Sequence, residues 1–304
     1  EIVQVIQDHD DFKIKNIDLT TLTDAEKNQQ SQALINAEMT MVFELEHGPL
    51  LHCKLVSLSD QESLLLINMH HIISDGVSIG LLMHELSVLY EAFIHDQTSP
   101  LNPLSIQYKD FSAWQNQWLQ GEIFNHLLNY WKQKLDGVEP IPLLSDKPRP
   151  TIQSFNGAFY GLSLSTTQID ELKQLSYQQG ATLYMVLLTA FKTLLNRYSQ
   201  HNDICVGSPI AGRSHYNTDQ LIGFFINMQA LRTDFSGEPT FIEALKRVKQ
   251  TALEAYSHQD MPFEKLVDAL NLGRDTSRSP VFQIAFSMLQ LPKTSYNLTD
   301  IEIK

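Results

Sequence analysis

Apolar positions fall into two rhythms along the chain, and each change of rhythm marks out an element. Leu64–Met69 (LLLINM) is an apolar run broken only by one Asn, the signature of a strand buried on both faces. Leu50–Ser57 reads as a second strand, and Ser59-Asp60-Gln61 turns the two into an antiparallel pair. From Ser78 the rhythm becomes helical, with Leu81, Leu82, Leu86, Leu89 and Phe93 on one face. The same period predicts a helix along the aromatic stripe Tyr108, Phe111, Trp114, Trp118 and Leu119, a second follows over Ile123–Leu135, and a stretch rich in Ala, Glu and Gln predicts one over about Thr23–Phe43.

After the proline-bearing segment Pro140–Pro150 (PIPLLSDKPRP) the pattern starts again. Ala158–Ser165 alternates as a strand, Thr166 opens a helix to about Gln179, and an almost wholly apolar helix covers Thr182–Tyr198. Asp203–Ile210 and Leu221–Thr233 read as strands. Pro239 and Pro262 each start a helix, Ser279–Leu289 closes as a strand, and Glu1–Ile6 opens the chain as one. Strands and helices mix on both sides of 140–150. The prediction is an α/β protein with an N-terminal lobe over 1–139, a linker at 140–150 and a C-terminal lobe over 151–304.

Composition narrows the picture. A chain of 304 residues exceeds what one compact core usually holds, in keeping with two lobes. Its net charge of −13, from 35 acidic and 22 basic residues, argues against a nucleic-acid surface, which needs clustered Lys and Arg. No apolar run approaches the roughly 20 residues that span a bilayer, and no leader precedes the first strand, so a cytoplasmic protein without membrane contact is expected. Cys53 and Cys205 lie in apolar strand-like segments and read as reduced core residues.

Candidate chemistry gathers where the Leu64 run ends, at His70 and His71, with Ser74-Asp75-Gly76 supplying turn residues. Successive strand residues point to opposite faces, so only one of the two imidazoles can serve a cavity while the other packs or orients the loop. Asp75 can pin the loop by accepting hydrogen bonds, and Gly76 tolerates a positive φ. A neutral imidazole is suited to hold a proton near pH 7. The residues alone leave a structural pair, a metal pair and a catalytic base open. With no C-x-x-C and no H-E-x-x-H in the chain, the metal reading is the weakest of the three.

The heptapeptide His70–Gly76 (HHIISDG) fits HHxxxDG. It is followed in order by YKDFSAW (Tyr108–Trp114), IGFFINMQALR (Ile222–Arg232), HQDMPFE (His258–Glu264) and RDTSRSP (Arg274–Pro280). In these motifs, over nearly its whole length, the chain resembles the condensation domains of non-ribosomal peptide synthetases. The resemblance implies two chloramphenicol acetyltransferase-like α/β sandwich lobes in a V-shaped arrangement with a tunnel between them. It also implies truncation at both ends, with two earlier motifs before Glu1 and further strands after Lys304.

The implied reaction joins a donor acyl or peptidyl thioester to the amine of an acceptor aminoacyl thioester. Both would ride on the phosphopantetheine of upstream and downstream carrier domains, beside an adenylation domain, with no cofactor bound directly. By the same resemblance His71 is the catalytic histidine, and Gly76 the glycine whose N–H lies near the reacting centre. His70 and Asp75 are structural at the site, Asp75 holding the loop through a salt bridge. Asn227 would come from the second lobe, and Arg213, which no motif backs, is a further candidate for a tunnel-side cation. A cyclisation domain would carry an Asp-rich motif in place of HHxxxDG. An epimerisation-type or a non-catalytic carrier-docking member of the same superfamily is the alternative.

Overall fold

The computed structural model describes residues 3–6, 12–143, 145–154, 156–271, 275–289, 298–299 and 301–302. The chain forms two compact units, Glu1–Leu101 with Leu221–Phe224, and Asn102–Gln220 with Phe225–Lys304. The fold is mixed α/β, each unit joining a sheet to helices.

The first unit contains β1 (Lys15–Asp18), α1 (Asp24–Met39), β2 (Leu51–Ser59), β3 (Glu62–Met69) and α2 (Gly76–Ile94). Its sheet has the order β1-β2-β3, with β1 parallel and β3 antiparallel to β2. Thr23 starts α1 through a capping box with Glu26, which satisfies two of the N–H groups left open at a helix start.

The hairpin read from the sequence is present, but β3 is not buried on both faces. Leu65 is 40% exposed and sits opposite Leu55, itself 36% exposed, while the next residue, Val56, is fully buried. One face of the sheet is covered; on the other, the two leucines shield one another as a cross-strand pair.

Among the described residues α2 is one helix whose 19 residues and mean hydropathy of 1.4 are enough to cross a bilayer by length and composition. It is not an uninterrupted apolar run, since His84, Glu85 and Glu91 fall within it. Its buried positions are Ser78 and Ala92.

The second unit contains α3 (Tyr108–Trp118), α4 (Gly121–Leu135), α5 (Thr166–Gln178), α6 (Leu183–Ser199), β4 (Asp203–Ile210), β5 (Asn227–Asp234), α7 (Phe241–Tyr256) and α8 (Phe263–Leu270). β4 and β5 are antiparallel, Asp203 facing Asp234 and Ile210 facing Asn227. Around them pack Leu127, Trp131 and Leu135 of α4, Leu188 and Leu195 of α6, Val248 of α7 and Leu266 of α8.

That packing accounts for α4 belonging to the second unit, which begins at Asn102. The apolar face of α4 belongs to the core of β4 and β5. Arg232 on β5 fastens it there, holding Asp203 with Nε and Nη2 at 2.9 and 2.7 Å and the carbonyls of Lys134 and Asp136 with Nη1.

Three predicted strands differ in the structure. Residues 3–6 are not in a strand, and Glu1 and Ile2 lie outside the described residues. Ala158–Ser165 has the alternation but no partner among the described residues, and Phe159 and Tyr160 are fully exposed. Ser279–Leu289 contributes a single parallel bridge, Gly207 with Ala285, flanked by bonds from Gly207 N to Ile284 O and from Phe286 N to Gly207 O. Strand geometry in the Leu221–Thr233 stretch begins only at Asn227. Both cysteines are free, and burial pushes the Cys205 thiol up to about 12.

Candidate active site

β3 delivers His70 to the loop, its N–H still bonded to Leu50 O at 3.0 Å. The chain then tightens into a short 3₁₀ turn over His71–Ile73, with His70 as its cap. His70 Nδ1 accepts from the Ile72 N–H at 3.0 Å. Only an unprotonated nitrogen can accept, so neutral His70 carries its proton on Nε2 and its ring holds the turn. An edge-on contact with Phe43, 5.6 Å between ring centroids, fixes it further.

His71 is exposed. Its ring stands edge-on to Phe224 at 5.5 Å, and among the described residues neither ring nitrogen has a hydrogen-bond partner. The two adjacent histidines are thus divided between a structural ring and an accessible one.

Asp75 is buried and caps α2, its Oδ1 accepting from the Ser78 N–H and from the Ser78 hydroxyl, both at 2.8 Å. Gly76 is the first residue of α2, where the helix leaves an N–H without an intrahelical acceptor. The expectation that Gly76 relieves a positive φ is incorrect, because its backbone is helical. A Cβ at Gly76 would meet nothing within 4 Å, so the glycine keeps open space beside that N–H.

Beneath the loop, Lys54 on β2 pairs with Glu38 at the end of α1, and the Asn68 amide donates to Glu38 O at 2.7 Å and Oε2 at 3.2 Å. The hydrogen bond from Lys54 holds the Glu38 carboxyl below its ordinary range. Asn68 stands two residues before His70, so this tie steadies the strand end that carries the histidines.

Arg213 and Asn227 belong to the second unit. The Arg213 guanidinium lies 4.1 Å over the Phe225 ring and donates to Thr218 O at 2.5 Å. Phe225 is itself wedged by Tyr108 and Phe111, at 5.1 and 4.9 Å, which is where the aromatic stripe of α3 goes. Gly212, at φ +64°, is indispensable in this loop, since a Cβ would fall 1.8 Å from Phe225 O.

Asn227 is engaged within the second unit. Its amide nitrogen donates to Gln259 O and Met261 O at 3.0 and 2.7 Å, and its oxygen accepts from the N–H of Met228 and Phe263 at 2.9 and 3.0 Å. Every donor and two acceptor sites of the side chain are spent on tying β5 to the start of α8. Of the RDTSRSP motif, Arg274 lies outside the described residues.

The Condensation domain family matches residues 1–301. The chain belongs to the condensation-domain family. A linear gramicidin synthase of Brevibacillus parabrevis is 49% identical over 287 residues, covering 94% of this chain and 6% of that protein. Gramicidin S synthase 2 of Aneurinibacillus migulanus is 39% identical over 291 residues, covering 95% of this chain and again 6% of the relative. The chain therefore spans only a small part of the length of these curated relatives. The solved X-domain from teicoplanin biosynthesis superposes with a TM-score of 0.83 at 27% identity, over 93% of this chain and 62% of that one. The first condensation domain of the calcium-dependent antibiotic synthetase, at 18% identity and a TM-score of 0.65 over 90% of this chain and 61% of that one, shares the fold.

In this condensation domain the sequence reading did not single out Ser78, and it named Gly223 and Phe224 only as part of IGFFINMQALR. The signal for Ser78 was its place three residues after Asp75, the spacing at which a cap meets the first helical turn. No local signal linked Gly223 to Ser78, 145 residues away.

Proposed function

We propose that the chain forms an amide bond between a donor acyl or peptidyl thioester and the amine of an acceptor aminoacyl thioester. Both are carried on phosphopantetheine arms of carrier domains that, with an adenylation domain, are its partners in non-ribosomal peptide synthesis. The observation that carries the reading is the state of His71: in an intact HHxxxDG loop, its ring is exposed and both nitrogens are open to a ligand.

A thioester is already activated, so the catalyst must align a neutral amine and manage one proton. His71 accepts a hydrogen bond from the attacking amine. The C–N bond forms, the C–S bond breaks, and the amine's proton passes through His71 to the departing thiolate. The Gly76 N–H, at the positive end of α2 with space beside it, stabilises charge on the carbonyl oxygen. No covalent acyl-enzyme is needed when both substrates arrive together.

His71→Ala is expected to slow amide formation by about 10²–10⁴-fold, the usual worth of a positioned acid–base group, while both carriers still load. Full product formation by that variant would refute the role of His71. A second reading, a member that docks partners without condensing, is favoured by one observation: the teicoplanin X-domain has also been solved in complex with OxyB. Turnover unchanged on deleting the loop would favour it.

A further inference from the structure

Ser78 is fully buried, and its Oγ lies 2.8 Å from Asp75 Oδ1, 2.8 Å from Gly223 O and 3.0 Å from Gly223 N. The Gly223 N–H donates to this oxygen, and the single hydroxyl proton is offered to the carboxylate or the Gly223 carbonyl. The Gly223 N–H is therefore held by a side chain on the first turn of α2, and the Gly223 carbonyl lies within reach of the same hydroxyl. Leu221–Phe224 has no helix or strand of its own, yet it belongs to the first unit although its sequence neighbours belong to the second. The residue after the clamped glycine is Phe224, whose ring stands at 84° to the His71 imidazole.

We infer that Ser78 is a positioning residue for His71, clamping Gly223 so that Phe224 walls one side of the imidazole. The inference rests on the proposed role of His71. Losing the clamp lets the wall recede, and the imidazole then samples orientations that do not meet the amine. Such a defect lowers turnover without weakening the docking of carriers. It also makes Ser78 and Phe224 act as one unit, so the second substitution adds little to the first.

The test compares Ser78→Ala, Phe224→Leu and the double variant in the full-length protein, by amide formation between two loaded carrier domains and by amide hydrogen exchange. Each single variant is expected to lower kcat by about 10–100-fold, equivalent to about 1.4–2.7 kcal/mol on the barrier, with KM for the carriers unchanged. The double variant should be no slower than the slower single one, and exchange at Gly223 should quicken in Ser78→Ala while Leu82 and Leu86 keep their protection. Fully additive losses, or a KM effect without a kcat effect, would overturn the inference. Should Ser78→Ala fail to fold, an unchanged rate in Phe224→Leu overturns it alone. A wild-type protein that makes no amide refutes the proposed function instead. The clamp is then decided by exchange, where unaltered Gly223 protection in Ser78→Ala counts against it.

Discussion

Lys192 on α6 offers a quantitative test of the second unit's core. It is fully buried, and its Nζ donates to Leu231 O at 2.6 Å and Thr233 Oγ1 at 2.7 Å. A neutral amine has two N–H groups and an ammonium three, so these two acceptors suit the neutral form. Burial, acting mainly through lost hydration, lowers its pKa from 10.5 to about 7. The unfolded chain thus binds a proton that the folded one has shed over most of the range from pH 7 to 10.5, and stability rises with pH in that window.

At about 1.4 kcal/mol per pH unit, the ionised lysine lowers stability by about 4 kcal/mol at pH 7, and about half of that is recovered by pH 9. Lys192→Met keeps the volume and removes the titration. The stability gap between the two proteins, read from urea unfolding, should shift by about 2 kcal/mol in favour of the wild type between pH 7 and pH 9. Groups common to both proteins cancel in that difference. A gap equal at the two pH values would refute the reasoning, and would mean that the ammonium is retained inside the core.

Other outcomes follow from the same geometry. Asn227→Asp cannot donate to Gln259 O or Met261 O and should cost about 2–3 kcal/mol in unfolding free energy, against little change for an exposed Asn such as Asn125. Gly212→Ala must move the Phe225 carbonyl and should lower the unfolding midpoint and the yield of folded protein together. Glu38, held below its ordinary pKa chiefly by Lys54, contributes stability above the carboxylate range that is lost as pH falls through its folded value. Glu38→Gln should therefore narrow the difference between acid and neutral unfolding curves, and an unchanged acid limb would contradict this.

Elements whose pattern is local were legible in the sequence. β4 appears with the bounds read from its apolar run, and α6 within a residue of those read for the apolar helix at Thr182–Tyr198, because long apolar segments state themselves locally. Asp75 as a loop pin was legible for the same reason. What escaped depends on distant partners: the bonds that tie Asn227 to Gln259, Met261 and Phe263 reach more than thirty residues along the chain. Ala158–Ser165 looked like a strand because alternation records what a segment can pair with, and not whether a neighbour is at hand. The place of α4 in the core of β4 and β5 was not legible either, because it is set by the burial of Trp131 and Leu135 against distant strands.

The bond from the Ile72 amide to His70 makes two adjacent imidazoles chemically unlike. The lone pair that closes the turn can be offered to a reactant only by opening the turn, so His70 must choose between scaffold and reagent and serves as scaffold. The ring beside it faces no such choice. Placement along a few residues of chain, and not residue type, decides which of the pair is available to a reagent or a reactant.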